Sequence, residues 1–389
     1  MTLTRRQFLG STLPLGALAL TAYAGAPASL LAADNAAVPT PAPADNTVFL
    51  YGDSILLEPQ PYADLLQSLL HKHDKVNDFY LKGGAVTELE AKFSALLGKE
   101  DTVLMPTGTL ANHIALRLLC GESRHALVQQ ESHVYRDEAD SVPTLSGINL
   151  VPLAPGKAAP TLDEVKAAID RAENGPYPIK VGAISLESPV RRADGATVPM
   201  ALINQIAGIA HAHGVGMHLD GARLLLMSGI SGFDPKSYCA PFDTVYVSLY
   251  KYLNAPFGGV LSGTKAQMTK ARELRHIFGG TLLHGWMAAL PALDTLDGFV
   301  DRFAGVRQAA ERLLARLEKT SGYKVHRIEN GSNIAYLDVS AKRADGLGER
   351  LKSAHIEMGH LREGKLELMF NETWLRQSTD QLIAAFAGK

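Results

Sequence analysis

Between residues 101 and 262 short apolar runs alternate with segments of helical periodicity, and few folds accommodate that order. Asp101–Met105, Ala126–Gln129, Ile148–Pro152, Lys180–Leu186, Val215–Leu219, Thr244–Leu249 and Gly258–Ser262 read as strands. Helical spacing runs through Tyr62–His71, Val86–Leu97, Thr161–Ala172 and Met200–His213, the last closed by Gly214. A further helix opens at Pro106-Thr107-Gly108-Thr109-Leu110-Ala111-Asn112 and continues through Leu119. Strands this apolar need cover on both faces, and the intervening helices supply it. The expectation is an α/β fold with a mostly parallel sheet. From about Leu290 the pattern changes. An amphipathic helix over Asp301–Lys319 leads to strand-like Asn333–Val339 and Leu366–Phe370 and a last helix over Arg376–Phe386, which suggests a small α+β domain. With 389 residues, a large domain over 61–298 and a small one over 299–389 fit the length.

The first 33 residues read as an export signal rather than as part of the fold. Thr4-Arg5-Arg6-Gln7-Phe8-Leu9 is a twin-arginine pattern, and a Gly- and Ala-rich apolar run follows from Phe8 to Ala22. That run is too short and too weakly apolar to span a bilayer, so no stable membrane anchor is expected. Cleavage options lie at Ala22-Tyr23-Ala24, at Ala24-Gly25-Ala26 and at Leu31-Ala32-Ala33. The expected partner is therefore the twin-arginine export machinery and the expected location the periplasm. Residues 34–60, rich in Ala and Pro at first, read as an arm or linker. A net charge of -2 and the lack of a basic stripe argue against a nucleic-acid partner. Cys120 and Cys239 form no CxxC pair and sit in apolar stretches, so they read as core residues and no metal site is expected.

Two residues carry the chemistry. Asp220 ends one apolar run within His218-Leu219-Asp220-Gly221-Ala222-Arg223, and Lys251 follows the next within Ser248-Leu249-Tyr250-Lys251. A lysine amine can form a Schiff base with the aldehyde of pyridoxal 5′-phosphate (PLP). A carboxylate at the end of a neighbouring strand can pair with the pyridinium nitrogen and keep the ring an electron sink. A buried carboxylate needs a positive partner, and the pyridinium is one. Burial lowers a lysine's pKa, which suits a Schiff-base former. Gly108 and Thr109 lie where a strand gives way to a helix. Outward-pointing N–H groups and the helix dipole there favour an anion such as the PLP phosphate, although an ordinary N-capping Thr reads the same way in isolation.

With these motifs in order, the chain resembles the threonine aldolase and β-eliminating lyase family, PLP enzymes of fold type I. The resemblance runs from about Asp53 to about Leu296 and more loosely beyond. It is carried by Thr87-Glu88-Leu89-Glu90, the Pro106–Asn112 segment, Ser132-His133-Val134-Tyr135-Arg136-Asp137-Glu138-Ala139, His218–Leu224 and Lys251–Gly259. It implies a fold-type-I large domain with a small C-terminal α+β domain. His133 would stack on the pyridine ring, and Glu138 would lie near it, so both are candidates for the base. Arg223 would meet the cofactor's phenolic oxygen or the substrate carboxylate, and Ser248 is a weaker candidate for a phosphate contact. Fold-type-I sites are completed across subunits, so a homodimer or homotetramer is implied.

The pattern breaks at four places. Glu187-Ser188-Pro189-Val190-Arg191-Arg192 has Val190 where the family has a histidine meeting the substrate hydroxyl. Gly279-Gly280-Thr281-Leu282-Leu283-His284 has Leu283 in place of an arginine near a neighbouring subunit's phosphate, with His284 as a substitute donor. The arginine that binds the substrate carboxylate becomes Glu367, or Leu368 one residue over, and the serine before the Schiff-base lysine becomes Tyr250. A bidentate arginine is the natural partner of an α-carboxylate. Either Arg223 with Arg191 or Arg192 takes its place, or the substrate differs in kind, or the protein has lost catalysis. The resemblance implies a lyase of the low-specificity L-threonine aldolase type, acting on an amino acid and cleaving the Cα–Cβ bond of a β-hydroxy amino acid to glycine and an aldehyde. The alternatives are β-elimination, transamination or racemisation of another amino acid or amine, and non-catalytic PLP binding in the periplasm.

Overall fold

The apolar runs assemble into one seven-stranded sheet in which six strands leave their carboxyl ends at the same edge. A computed structural model describes residues 46–55 and 57–388, so the export signal and the first part of the arm lie outside the described residues. A two-residue strand, β1 (Val48–Phe49), comes first. The central sheet then uses β2 (Asp101–Met105), β3 (His125–Gln129), β4 (Asn149–Leu153), β5 (Val181–Glu187), β6 (Gly216–Asp220), β7 (Thr244–Ser248) and β8 (Gly259–Gly263). Their spatial order is β2-β8-β7-β6-β5-β3-β4. Only β8 runs antiparallel to its neighbours, β2 and β7. β5 and β7 are buried along their whole length, as strands covered on both faces must be.

Helix starts follow local capping. Thr161 caps Leu162–Glu173 through a reciprocal bond with Glu164, so that helix begins one residue later than its apolar spacing implies. Thr107 caps Gly108–Cys120, its side chain accepting from Leu110 N. The helices Lys265–Ile277 and Trp286–Leu296 lie where no element was expected. The first buries only the narrow stripe Met268, Ala271, Leu274 and Arg275, and the second contains Pro291, so both carry weak periodic signals.

After the long helix Phe299–Glu318 comes the small C-terminal domain. Its antiparallel sheet has the order β12-β13-β10-β9, built from β9 (Tyr323–Arg327), β10 (Ile334–Val339), β12 (Leu361–Arg362) and β13 (Lys365–Met369). The short β11 (Ile356–Glu357) pairs in parallel with β1. The described part of the arm is thus tied to this domain, with Phe49 N donating to Thr373 Oγ1 at 2.9 Å and Trp374 Nε1 donating to Phe49 O at 3.1 Å. Arg307 bridges the layers by donating to Leu226 O and Ser228 O in the large domain and to Ser332 O beyond β9.

Candidate active site

Parallel strands leave their carboxyl ends and following loops on one side, where ligands of open α/β sheets bind. Here β2, β5, β6 and β7 end around a cavity of about 380 Å³, a size suited to a small molecule. Its lining includes Gly108, Thr109, His133, Asp220, Arg223 and Lys251. Glu138 lies behind His133, fully buried. Ser248 is enclosed at the end of β7 and is not among the lining residues. Arg191 and Arg192 border a second cavity of about 640 Å³, and Arg223 lines both.

Gly108 begins its helix hard against the sheet. A Cβ there would lie 2.2 Å from Tyr246 Oη, so only glycine lets this helix terminus approach so closely. Because Thr107 takes the capping role, Thr109 is free of it.

Asp220 and Glu187 are register partners on β6 and β5, which puts two buried carboxylates side by side. Glu187 accepts from His133 N at 2.6 Å and from Arg191 N at 2.8 Å. Burial first, and Asp220 second, push its pKa upward. Asp220 accepts from Ala222 N at 3.1 Å and from Asn112 Nδ2 at 2.8 Å. No cation lies among these partners.

His133 Nδ1 sits 2.8 Å from Glu138 Oε1, and this bond raises the imidazole pKa against the opposing effect of burial. Glu138 is itself pushed upward, chiefly by burial. Asn112 Nδ2 also reaches Glu138 Oε1 at 2.8 Å. The side-chain atoms of His133, Glu138 and Asp220 lie within 4.8 Å of one another. The amide of Asn112 is bonded to both of these carboxylates.

Lys251 has its pKa lowered to about 8. Burial is the main cause and the nearby Arg223 charge the second, with Asp220, Asp53 and Glu187 opposing. Its backbone carbonyl accepts from Ser54 Oγ at 2.9 Å. Tyr250 lines the same cavity, its ring centroid 5.7 Å from the lysine Nζ.

The four departures from the family pattern occupy different settings. Val190 is fully buried, its N–H donating to Ala196 O, and lines neither cavity. Strand alternation settles the C-terminal register: Leu366 and Leu368 face the core, and Glu367 faces the second cavity with Asp53, Asp194, Arg191 and Arg192. Burial, then Asp194 and Asp53, raise the Glu367 pKa. Arg192 Nε donates to Asp137 at 3.0 Å, and Arg191 lies 3.8 Å from the same carboxylate. Leu283 is half exposed, and His284 Nδ1 donates to Asp78 O of its own chain at 2.6 Å.

Three contributors went unassigned in the sequence. Asn112 and Glu187 each place a polar group at the buried end of an apolar pattern, the same signal that marked Asp220. Asp53, which bonds Arg223 Nε at 2.6 Å, has no local signal at all.

Residues 73–340 match the β-eliminating lyase family profile. This chain belongs to that family. The lyase is a PLP-dependent enzyme of fold type I. The residues fit the cofactor: the helix N-terminus offers the N–H groups of Gly108 and Thr109, which the Thr107 cap on Leu110 N leaves free, the desolvated Lys251 amine lines the same cavity, and Asp220 is a buried carboxylate with only neutral hydrogen-bond partners, suited to a protonated nitrogen. Among its relatives is an Arabidopsis thaliana protein assigned as low-specificity L-threonine aldolase 2, 27% identical over 267 residues that cover 68% of this chain and 75% of that one. The alanine racemase TOXG of Cochliobolus carbonum is 29% identical over 280 residues, covering 68% and 69%. A solved Listeria monocytogenes structure, assigned as an L-allo-threonine aldolase, superposes with a TM-score of 0.73 at 25% identity. It covers 88% of this lyase and 95% of that chain.

Proposed function

We propose that this lyase cleaves the Cα–Cβ bond of a β-hydroxy amino acid, as a low-specificity L-threonine aldolase does, releasing glycine and an aldehyde. The observation that carries the reading is the convergence of Lys251, Asp220 and the His133–Glu138 pair on one cavity in a chain similar to threonine aldolases.

When bound, PLP supplies an aldehyde that an amine can capture and a ring that takes up an electron pair from the substrate Cα. Lys251, its pKa lowered to about 8 by burial, would be the partly neutral amine that holds the aldehyde end. Asp220 would face the ring nitrogen and keep it protonated. The N–H groups at Gly108 and Thr109 would hold the phosphate. His133, with Nδ1 engaged by Glu138, keeps Nε2 as the accepting atom for the β-hydroxyl proton. Arg223, held through Nε by Asp53, keeps its two terminal nitrogens for the substrate carboxylate, with Arg191 and Arg192 at the adjoining cavity. Release of glycine and acetaldehyde from L-threonine or L-allo-threonine by the PLP-loaded protein tests the reading, and no aldehyde from either substrate overturns it.

Similarity to an alanine racemase favours a second reading, in which the Cα–H bond is broken instead. Loss of optical activity from L-alanine without aldehyde release would select it.

The exported location rests on Arg5-Arg6 and the apolar run behind them. Fractionation of cells carrying Arg5→Lys, Arg6→Lys protein tests it, and undiminished periplasmic protein overturns it. A homodimer or homotetramer is supported by adjoining exposed apolar groups, Phe79 at 63%, Tyr80 at 48% and Leu283 at 50%. Tyr80 N donates to Leu283 O at 2.8 Å, which keeps them together. Sedimentation of the mature protein tests it.

A further inference from the structure

Asn112 sits one turn into the helix Gly108–Cys120 and is 1% exposed. An amide is an unusual choice for the buried face of a helix, and each of its polar atoms is used. Nδ2 lies 2.8 Å from Glu138 Oε1 and 2.8 Å from Asp220 Oδ2. Oδ1 lies 3.0 Å from His218 Nε2. His218 Nδ1 in turn lies 2.9 Å from Thr244 Oγ1.

The direction of every proton in this chain follows from the two carboxylates. They accept only, so the nitrogen of the amide must face them and its oxygen must face His218. His218 then carries its proton on Nε2 and accepts on Nδ1 from the Thr244 hydroxyl. Full burial keeps His218 neutral, with a pKa lowered to about 4. Thr244, His218 and Asn112 form one relay of neutral donors that ends on the carboxylates of Asp220 and Glu138.

We propose that Asn112 is a positioning residue that orients the Asp220 carboxylate for the cofactor's ring nitrogen and, through Glu138, couples it to His133. Without its N–H₂ group the two carboxylates lose their common donor, and Glu138, which burial already pushes upward and the Asn112 bond holds down, takes up a proton more readily. A protonated Glu138 no longer supports charge on His133. His133 is faced by Glu138, Asp220, Asp137, Glu187 and Lys251. Of these, Glu138 alone hydrogen-bonds its ring and is the group through which Asn112 acts on it. The inference rests on Asp220 meeting the ring nitrogen, as proposed above.

The test uses the full chain and two measurements. The His133 ring is titrated by NMR in cofactor-free protein, and PLP affinity is measured by absorbance titration of the same protein. In Asn112→Ala the His133 midpoint is expected to fall by about one pH unit and PLP affinity by about tenfold, the scale of a lost hydrogen bond to a charged group. Asn112→Asp keeps the shape but replaces the donor with an acceptor, so it carries the test where the alanine variant does not fold. It is expected to weaken PLP affinity at least as much. A part that only fills space would lower the melting temperature and leave the His133 midpoint where it is, and that result overturns the proposal. Asp220→Ala separates the two ideas. If it binds PLP as tightly as the wild type, the Asp220 reading fails. If it weakens binding while the Asn112 variants do not, the role of Asn112 alone fails.

Discussion

Arg223 Nε donates to Asp53 Oδ2 at 2.6 Å, and this bond joins groups 170 residues apart at the border of two cavities. Asn333 Nδ2, 3.3 Å from Asp53 Oδ1, holds the carboxylate from the small domain. The guanidinium is thereby turned with one edge to protein and the other toward the adjoining cavities. Asp53→Asn keeps the shape and removes the charge. KM for the amino-acid substrate is expected to rise about tenfold with a smaller change in kcat, because the lost group orients a binding residue. Steady-state kinetics check this, and an unchanged KM would remove Asp53 from the account.

Lys251 must be neutral to capture the cofactor. With its pKa lowered to about 8, the capture rate is expected to rise with pH from about 6 and to level off above about 8. An ordinary solvated lysine would keep rising to about 10. Stopped-flow absorbance after mixing cofactor-free protein with PLP distinguishes the two. Lys251→Ala is expected to cost turnover about a thousandfold or more.

Glu138 raises the pKa of His133 through the 2.8 Å bond between them. A base works only when neutral, so activity falls on the acid side of its pKa. Glu138→Gln removes the raising influence, and the acidic limb of the kcat/KM profile is expected to move to lower pH. A limb that stays in place assigns the base elsewhere.

Glu367 presents a carboxylate to the cavity shared with Asp53, Asp194 and Arg223. An anionic substrate carboxylate nearby is repelled. Glu367→Gln is expected to lower KM for L-threonine several-fold, with the gain shrinking as salt screens the charge. A rise in KM would show that Glu367 assists binding.

Gly108→Ala places a methyl carbon where Tyr246 Oη lies 2.2 Å away. Relieving that clash is expected to cost about 1–3 kcal/mol of stability and to weaken PLP binding. Thermal unfolding with and without PLP reads both effects.

Much of this architecture was legible in the chain. Apolar runs at β2 to β8 and the spacing between them announced a sheet covered on both faces, since continuous burial leaves no room for polar alternation. Asp220 and Lys251 stood out because a polar group at the end of such a run is costly unless it has chemistry to perform.

Other features depend on distance in space. The ungapped match puts Glu367 at that position, with Leu368 one residue over, but only the packing of Leu366 and Leu368 against the core shows that Glu367 faces the cavity, because neighbouring strand residues face opposite sides. Asp53 bears on Arg223 only because the β1–β11 pairing and Asn333 bring its loop to the sheet edge. Local pattern reports what each segment must bury. Which buried groups then meet depends on the order of the strands, and no short stretch of sequence contains that order.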